Sequence, residues 1–104
     1  MNTIRNKVLS FRDERGWKQY HTEKDLAISI SLEASELLEN FQWRTSEEAI
    51  AESNQNIREQ MADILIYLVQ LADKMEIDLE KEVFSKLNKN AVKYPVITKE
   101  EVSK

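Results

Sequence analysis

One aspartate stands on a stretch of chain that should be a buried helix. From Ile57 to Met75, one helical face carries Met61, Ile64, Leu65, Leu68, Leu71, Ala72 and Met75, and Ala62, Ile66 and Val69 cover much of the rest. Only a narrow polar strip survives, made of Gln60, Asp63, Tyr67 and Gln70 with Glu59 beside Asp63. An ionised carboxylate on such a helix is costly unless a cation or a set of donors pairs with it. Upstream, Glu33 and Glu36 form a Glu-x-x-Glu pair. Two glutamates cannot be those donors, but a hard divalent cation such as Mg²⁺ or Mn²⁺, which prefers oxygen ligands, could offset the repulsion among the acids. The alternative is a solvated acidic face, since 14 Glu in 104 residues make Glu-x-x-Glu spacing common and Glu36 with Glu39 repeats it.

The elements that must position these acids are helical. Ile4, Val8 and Phe11 recur at helical spacing, with Gly16 as terminator. Trp17 to His21 reads as a loop. Thr22 and Asp25 mark the start of a second helix, with Leu26, Ile30, Ala34, Leu37 and Phe41 as its apolar stripe and Glu33 at the stripe's edge. Thr45 to Ser53 reads as an acidic connector with a helical turn capped by Thr45 and Glu48, and a long helix is expected over Ile57 to Met75. Asp78 caps a last helix bearing Leu79, Val83, Leu87 and Ala91, which Pro95 stops. The expected fold is an all-α four-helix bundle over residues 1–97 with a polar tail over 98–104. Ile28 and Leu32 lie nearly opposite the main stripe, so the second helix should be buried on both sides. A chain of this size manages that by self-association, as a homo-dimer or tetramer.

Composition narrows the chemistry. One Gly and one Pro argue against sandwiches, barrels and glycine-rich phosphate loops. The absence of Cys removes disulfides, thiol nucleophiles and cysteine zinc sites and makes the cytoplasm the expected compartment. A single His excludes a multi-histidine metal site within one chain. The net charge of −4 offers no footprint for a nucleic-acid polymer, and no apolar run approaches a membrane span.

Trp17 and Trp43 flank the helix that carries Glu33 and Glu36. Each could be a core or interface anchor, or a platform on which a base stacks. Gln19 and His21 present donors and acceptors close to Trp17. Lys86, Lys89 and Lys93 on the last helix form either a solvated charge run or, beside acids and metal, contacts to phosphate oxygens.

The segments Phe11-Arg12-Asp13-Glu14-Arg15-Gly16-Trp17, His21-Thr22, Glu33-Ala34-Ser35-Glu36-Leu37, Phe41-Gln42-Trp43, Asp63-Ile64-Leu65-Ile66-Tyr67-Leu68 and Lys89-Asn90-Ala91-Val92-Lys93-Tyr94-Pro95 occur in order over nearly the whole chain. This ordered set resembles the MazG-like nucleotide pyrophosphohydrolases, in particular their small single-domain, dCTP-pyrophosphatase-like type. The resemblance implies an all-α fold, tight dimers or dimer pairs, and Mg²⁺-dependent hydrolysis of (d)NTP to (d)NMP and pyrophosphate. It assigns metal-ligand roles to Glu33, Glu36 and Asp63, phosphate-side roles to Tyr67, Lys86 and Asn90, and base-pocket roles to Trp17 and Trp43.

One position departs from the family pattern. Three residues before Asp63, where the family carries Glu, this chain has Gln60, which keeps a neutral oxygen but loses the charge. Glu59, about 40° further around the helix, is the alternative ligand. The leading expectation is a house-cleaning pyrophosphohydrolase acting on a deoxypyrimidine triphosphate such as dCTP, with Glu36 as general base and Lys93, Gln19 and His21 among the substrate contacts. The rival is a catalytically impaired self-association or partner-binding module on the same scaffold.

Overall fold

The computed structural model of the chain describes residues 1–97, and the polar tail expected over 98–104 lies outside them. Four α-helices follow one another: α1 Asn2–Glu14, α2 Glu23–Glu39, α3 Ser46–Lys74 and α4 Leu79–Lys93. A short 3₁₀ turn, Lys18–Tyr20, occupies part of the segment read as a loop between α1 and α2. Among the described residues there is no strand, and no helix is long and apolar enough to cross a membrane.

Local chemistry sets the helix ends. Thr22 accepts from the backbone N–H of Asp25 while the Asp25 carboxylate accepts from that of Thr22, so the shorter acid still closes a capping box. Thr45 and Glu48 close a second box at the start of α3, and Asp78 accepts from the N–H of Lys81 to cap α4. Gly16, at φ 66°, ends α1 by sending its own N–H to the carbonyl of Asp13 and that of Trp17 to the carbonyl of Arg12. The same pair of bonds ends α3 around Glu76, whose φ of 56° is adopted without a glycine.

The connector expected over Thr45 to Ser53 is instead the first part of α3. The capping box nucleates the helix directly after Thr45, and the interruption shrinks to a kink at Ser53, with φ −123° and ψ 26°. Arg44 spans it, donating to Ser53 Oγ at 3.0 Å.

α3 is the central helix, packed extensively against α2 and to a smaller extent against α1. The fully packed apolar residues are few: Val8, Leu26, Ala49, Val69 and Ala72. Met61 and Met75, expected in the core face of α3, are more than half exposed. α4 packs extensively against none of the other helices, leaving Val83, Phe84 and Leu87 open. The radius of gyration is 18.0 Å, against about 13 Å for a compact chain of this length. The accessible surface is 8497 Å², against about 6,000 Å² for a folded monomer of this mass.

Candidate active site

α2 presents to α3 the face containing Leu26, Ser29, Ile30, Glu33, Leu37 and Asn40, all buried or half-buried, while Ala34 is exposed. Glu33 therefore sits inside the packed face and not at its edge. α3 answers with its polar strip: Gln60, Asp63 and Tyr67 are half-buried and Gln70 is buried. Burial pushes the Glu33 carboxyl above the ordinary carboxylate range, and the charges of Glu36 and Asp63 push it further. These three acids thus share one electrostatic field across the two helices. Among the described residues no group of three or more acidic or His side chains is gathered tightly enough to hold an ion as the side chains stand.

Gln60 and Glu59 are engaged elsewhere. Asn40 Nδ2 donates to Gln60 Oε1 at 2.5 Å and faces the carbonyls of Glu36 and Leu37 at 3.2 Å each. Glu59 is exposed and accepts from Gln55 Nε2 at 3.2 Å along its own helix.

Beside Asp63 opens a cleft of about 250 Å³ lined by Phe11, Trp17, His21, Asp63, Ile66, Tyr67 and Gln70. Trp17 meets Phe11 edge-on, with ring centroids 5.7 Å apart, and its centroid lies 6.2 Å from that of His21. The Arg15 guanidinium lies 3.5 Å over the Phe11 ring. Two polar atoms in this lining, His21 Nδ1 and Gln70 Oε1, are buried without a hydrogen-bond partner among the described residues.

The α1 wall of the cleft is held by a residue that sequence reasoning passed over. Arg12, 2% exposed, donates from Nη1 to Asp73 Oδ2 at 2.8 Å and from Nε to Asp13 Oδ1 at 2.9 Å. Arg5 reaches the same Asp73 at 3.1 Å. The signal was present, because Arg12 follows Val8 by one turn on the buried face of α1, but its partner lies 61 residues away. Gln70, the cleft's buried amide, stands in the sequence only as one member of the polar strip of α3.

Of the substrate contacts expected from sequence, Trp17, His21 and Tyr67 line the cleft. Gln19, Trp43, Lys86, Asn90 and Lys93 do not line it in the single chain. Trp43 is fully exposed and holds φ 62°, a left-handed backbone that is strained for a bulky side chain. Asn90 is half-buried, whereas Lys86 and Lys93 are exposed on the unpartnered α4.

The MazG-like family model matches residues 28–104, most of the chain and both acid-bearing helices. The chain belongs to the MazG-like family. This MazG-like chain is 36% identical over 101 residues to rat dCTP pyrophosphatase 1, and 35% identical over 100 residues to the human protein of that name. The matches cover 92% and 91% of the chain but 59% of each relative, so it spans about three-fifths of their length. The crystal structure of a pyrophosphatase from Archaeoglobus fulgidus DSM 4304 superposes with a TM-score of 0.84 at 45% identity, covering 92% of this chain and 93% of that one. The architecture is accordingly the all-α MazG-like one.

Proposed function

We propose that the chain is a divalent-metal-dependent nucleotide pyrophosphohydrolase that converts a (d)NTP to the monophosphate and pyrophosphate, with Mg²⁺ as the ion and Mn²⁺ as a substitute. The observation that carries this reading is Asp63 in the lining of an aromatic cleft, with Glu33 half-buried on the facing helix where the charges of Glu36 and Asp63 act on it. The donor set fits a hard cation, because it is all oxygen and gains by neutralisation. The names of the rat, human and archaeal relatives agree with it.

Glu33, Glu36 and Asp63 are the residues that would hold the ion. When bound, such an ion supplies positive charge to phosphate oxygens and makes a nearby water more acidic. Glu36, exposed beside the packed face, is our choice for the carboxylate that takes a proton from the attacking water. Tyr67, one turn beyond Asp63, lines the same cleft, and Trp17 offers a ring on which a deoxypyrimidine can stack.

The single chain leaves the site open on one side. The excess surface, the unpartnered α4 and the exposed Ile28, Leu32 and Met61 support a homo-dimer or tetramer, in which Trp43, Lys86, Asn90 and Lys93 of one copy or another complete the site. A house-cleaning role in the cytoplasm fits a chain without cysteine.

The engagement of Gln60 by Asn40 favours a second reading, an inactive scaffold weakened by the missing ligand charge. One assay separates the two. Purified protein should release monophosphate and pyrophosphate from a panel of ribo-, deoxyribo- and modified NTPs only when Mg²⁺ or Mn²⁺ is present. An absence of product above background across that panel leaves the scaffold reading.

A further inference from the structure

We infer that Arg12 is a positioning residue for this cleft: its ion pair with Asp73 holds the aromatic wall at its distance from α3, and so sets how firmly a flat ligand is gripped there. The consequence for turnover rests on the reading of the cleft as a nucleotide site, whereas the holding of the wall does not.

The cleft has two walls. Asp63, Ile66, Tyr67 and Gln70 belong to α3, whereas Phe11, Trp17 and His21 belong to α1 and the segment after it. Little fastens the second wall to the first. Of the 13 residues of α1 only Val8 and Arg12 are buried. Val8 offers one small apolar side chain, and Arg12 offers a guanidinium that donates to Asp73 Oδ2 at 2.8 Å. Asp63, Ile66, Gln70 and Asp73 follow one another at three- and four-residue steps, so they lie along one side of α3. Arg12 thus grips the side that lines the cleft, one turn past Gln70. Arg5 reaches the same carboxylate at 3.1 Å, but its side chain is half in solvent, where an ion pair contributes little.

The main chain of Arg12 passes this hold on to the wall. Its carbonyl accepts from the backbone N–H groups of Arg15 at 3.3 Å and Trp17 at 3.1 Å, around the turn that Gly16 makes at φ 66°. Trp17 then meets the ring of Phe11 edge-on. Arg12 is therefore tied to α3 by its side chain and to Trp17 by its backbone. α2, by contrast, packs extensively on α3 and carries Glu33 and Glu36. Loosening Arg12 should move the aromatic wall and leave the acids in place.

The test compares wild type with Arg12→Met, which keeps bulk and leaves Asp73 paired with Arg5, and with Asp73→Asn, which keeps an oxygen acceptor without the charge. In a Trp43→Phe background Trp17 is the only indole, and acrylamide quenching of its fluorescence reads the wall. Both variants should raise the quenching of Trp17, which is 41% exposed in the intact cleft, toward that of a free indole. Mg²⁺ should raise the melting temperature of the variants as much as that of wild type. With Trp43 restored, KM for dCTP should rise about tenfold, within the range of one base–aromatic stack, while kcat changes little. Arg12→Lys, which keeps the charge but cannot bond Asp13 and Asp73 from one planar fork, should fall between. A folded Arg12→Met with unchanged Trp17 quenching, or with kcat lowered and KM unchanged, would overturn the inference. So would loss of the Mg²⁺ response in the variants alone, which would place the effect at the acids, or failure of both Arg12→Met and Asp73→Asn to fold, which would make the pair a clamp on the whole fold. A wild type that hydrolyses no nucleotide would remove the proposed reaction, and the quenching comparison would still decide whether Arg12 holds the wall.

Discussion

Asn40 at the end of α2 donates its side-chain amide to Gln60 in the middle of α3, at 2.5 Å. The carbonyls of Glu36 and Leu37, each 3.2 Å from the same nitrogen, require that Asn40 present its NH₂ on this side. Gln60 must then present its oxygen, and that oxygen is occupied. The residue that departs from the family pattern thus ties the turn bearing Glu36 to the helix bearing Asp63. Asn40→Ala should lower stability by about 1–2 kcal/mol, from one buried bridge and its share of the helix cap, and should also weaken Mg²⁺ binding. Urea unfolding with and without Mg²⁺ measures both effects.

Gln60→Glu should move stability in opposite directions according to the ion. A carboxylate can still accept from Asn40, but it adds negative charge near the field that already raises Glu33. The metal-free variant should melt below wild type, and saturating Mg²⁺ should return more stability to it than to wild type. Equal responses of the two proteins to Mg²⁺ would show that position 60 lies outside the ion's reach.

Glu33 carries a pH dependence whose sign follows from its raised pKa. The folded state binds this proton more tightly than the unfolded chain, so the group's contribution is present at low pH and lost as pH rises through the folded value. Without metal, Glu33→Gln should therefore be more stable than wild type at neutral pH. That advantage should vanish on acidification through the carboxylate range. The same variant should lose the stabilisation that Mg²⁺ gives to wild type. Paired unfolding curves between pH 3 and 7 give the difference directly, free of the opposite contributions of Asp13 and Asp25, whose carboxyls are held low by bonds from Arg12 and Thr22.

The Arg12–Asp73 pair should matter more to folding than any surface ion pair. Asp73→Ala leaves a buried guanidinium with only Asp13 to answer it, and should cost about 3 kcal/mol. Arg44→Ala, which removes an exposed pair with Glu52, should cost under about 1 kcal/mol. Denaturant midpoints at constant slope provide the comparison.

Trp43 makes no use of its side chain inside one copy, being fully exposed on a left-handed backbone. Trp43→Ala should raise KM for the preferred triphosphate by the equivalent of about 1–3 kcal/mol of lost stacking, with Mg²⁺ binding nearly unchanged. Dissociation of the variant in sedimentation would instead identify Trp43 as an interface anchor.

What the sequence determines by itself is local. Thr22, Thr45, Asp78 and Gly16 each act on backbone groups within four residues, so the caps are legible, although the start of α3 was expected near Ile57 and lies at Ser46, and one Gly with one Pro leaves little but helices to build. Asp63 is legible as well, because it interrupts an otherwise apolar helix. Tertiary structure decided which arc of each helix faces inward. Both α2 and α3 carry apolar residues on opposite sides, and helical periodicity cannot say which side meets the neighbouring helix. The packing placed Glu33 inside and Ala34 outside, left Met61 and Met75 exposed, and carried the polar strip of α3 into the interface. The Arg12–Asp73 and Asn40–Gln60 pairings and the gathering of Trp17, His21 and Gln70 around one cleft join residues 20 to 61 positions apart. Such contacts depend on how three helices pack together, which no single helix encodes.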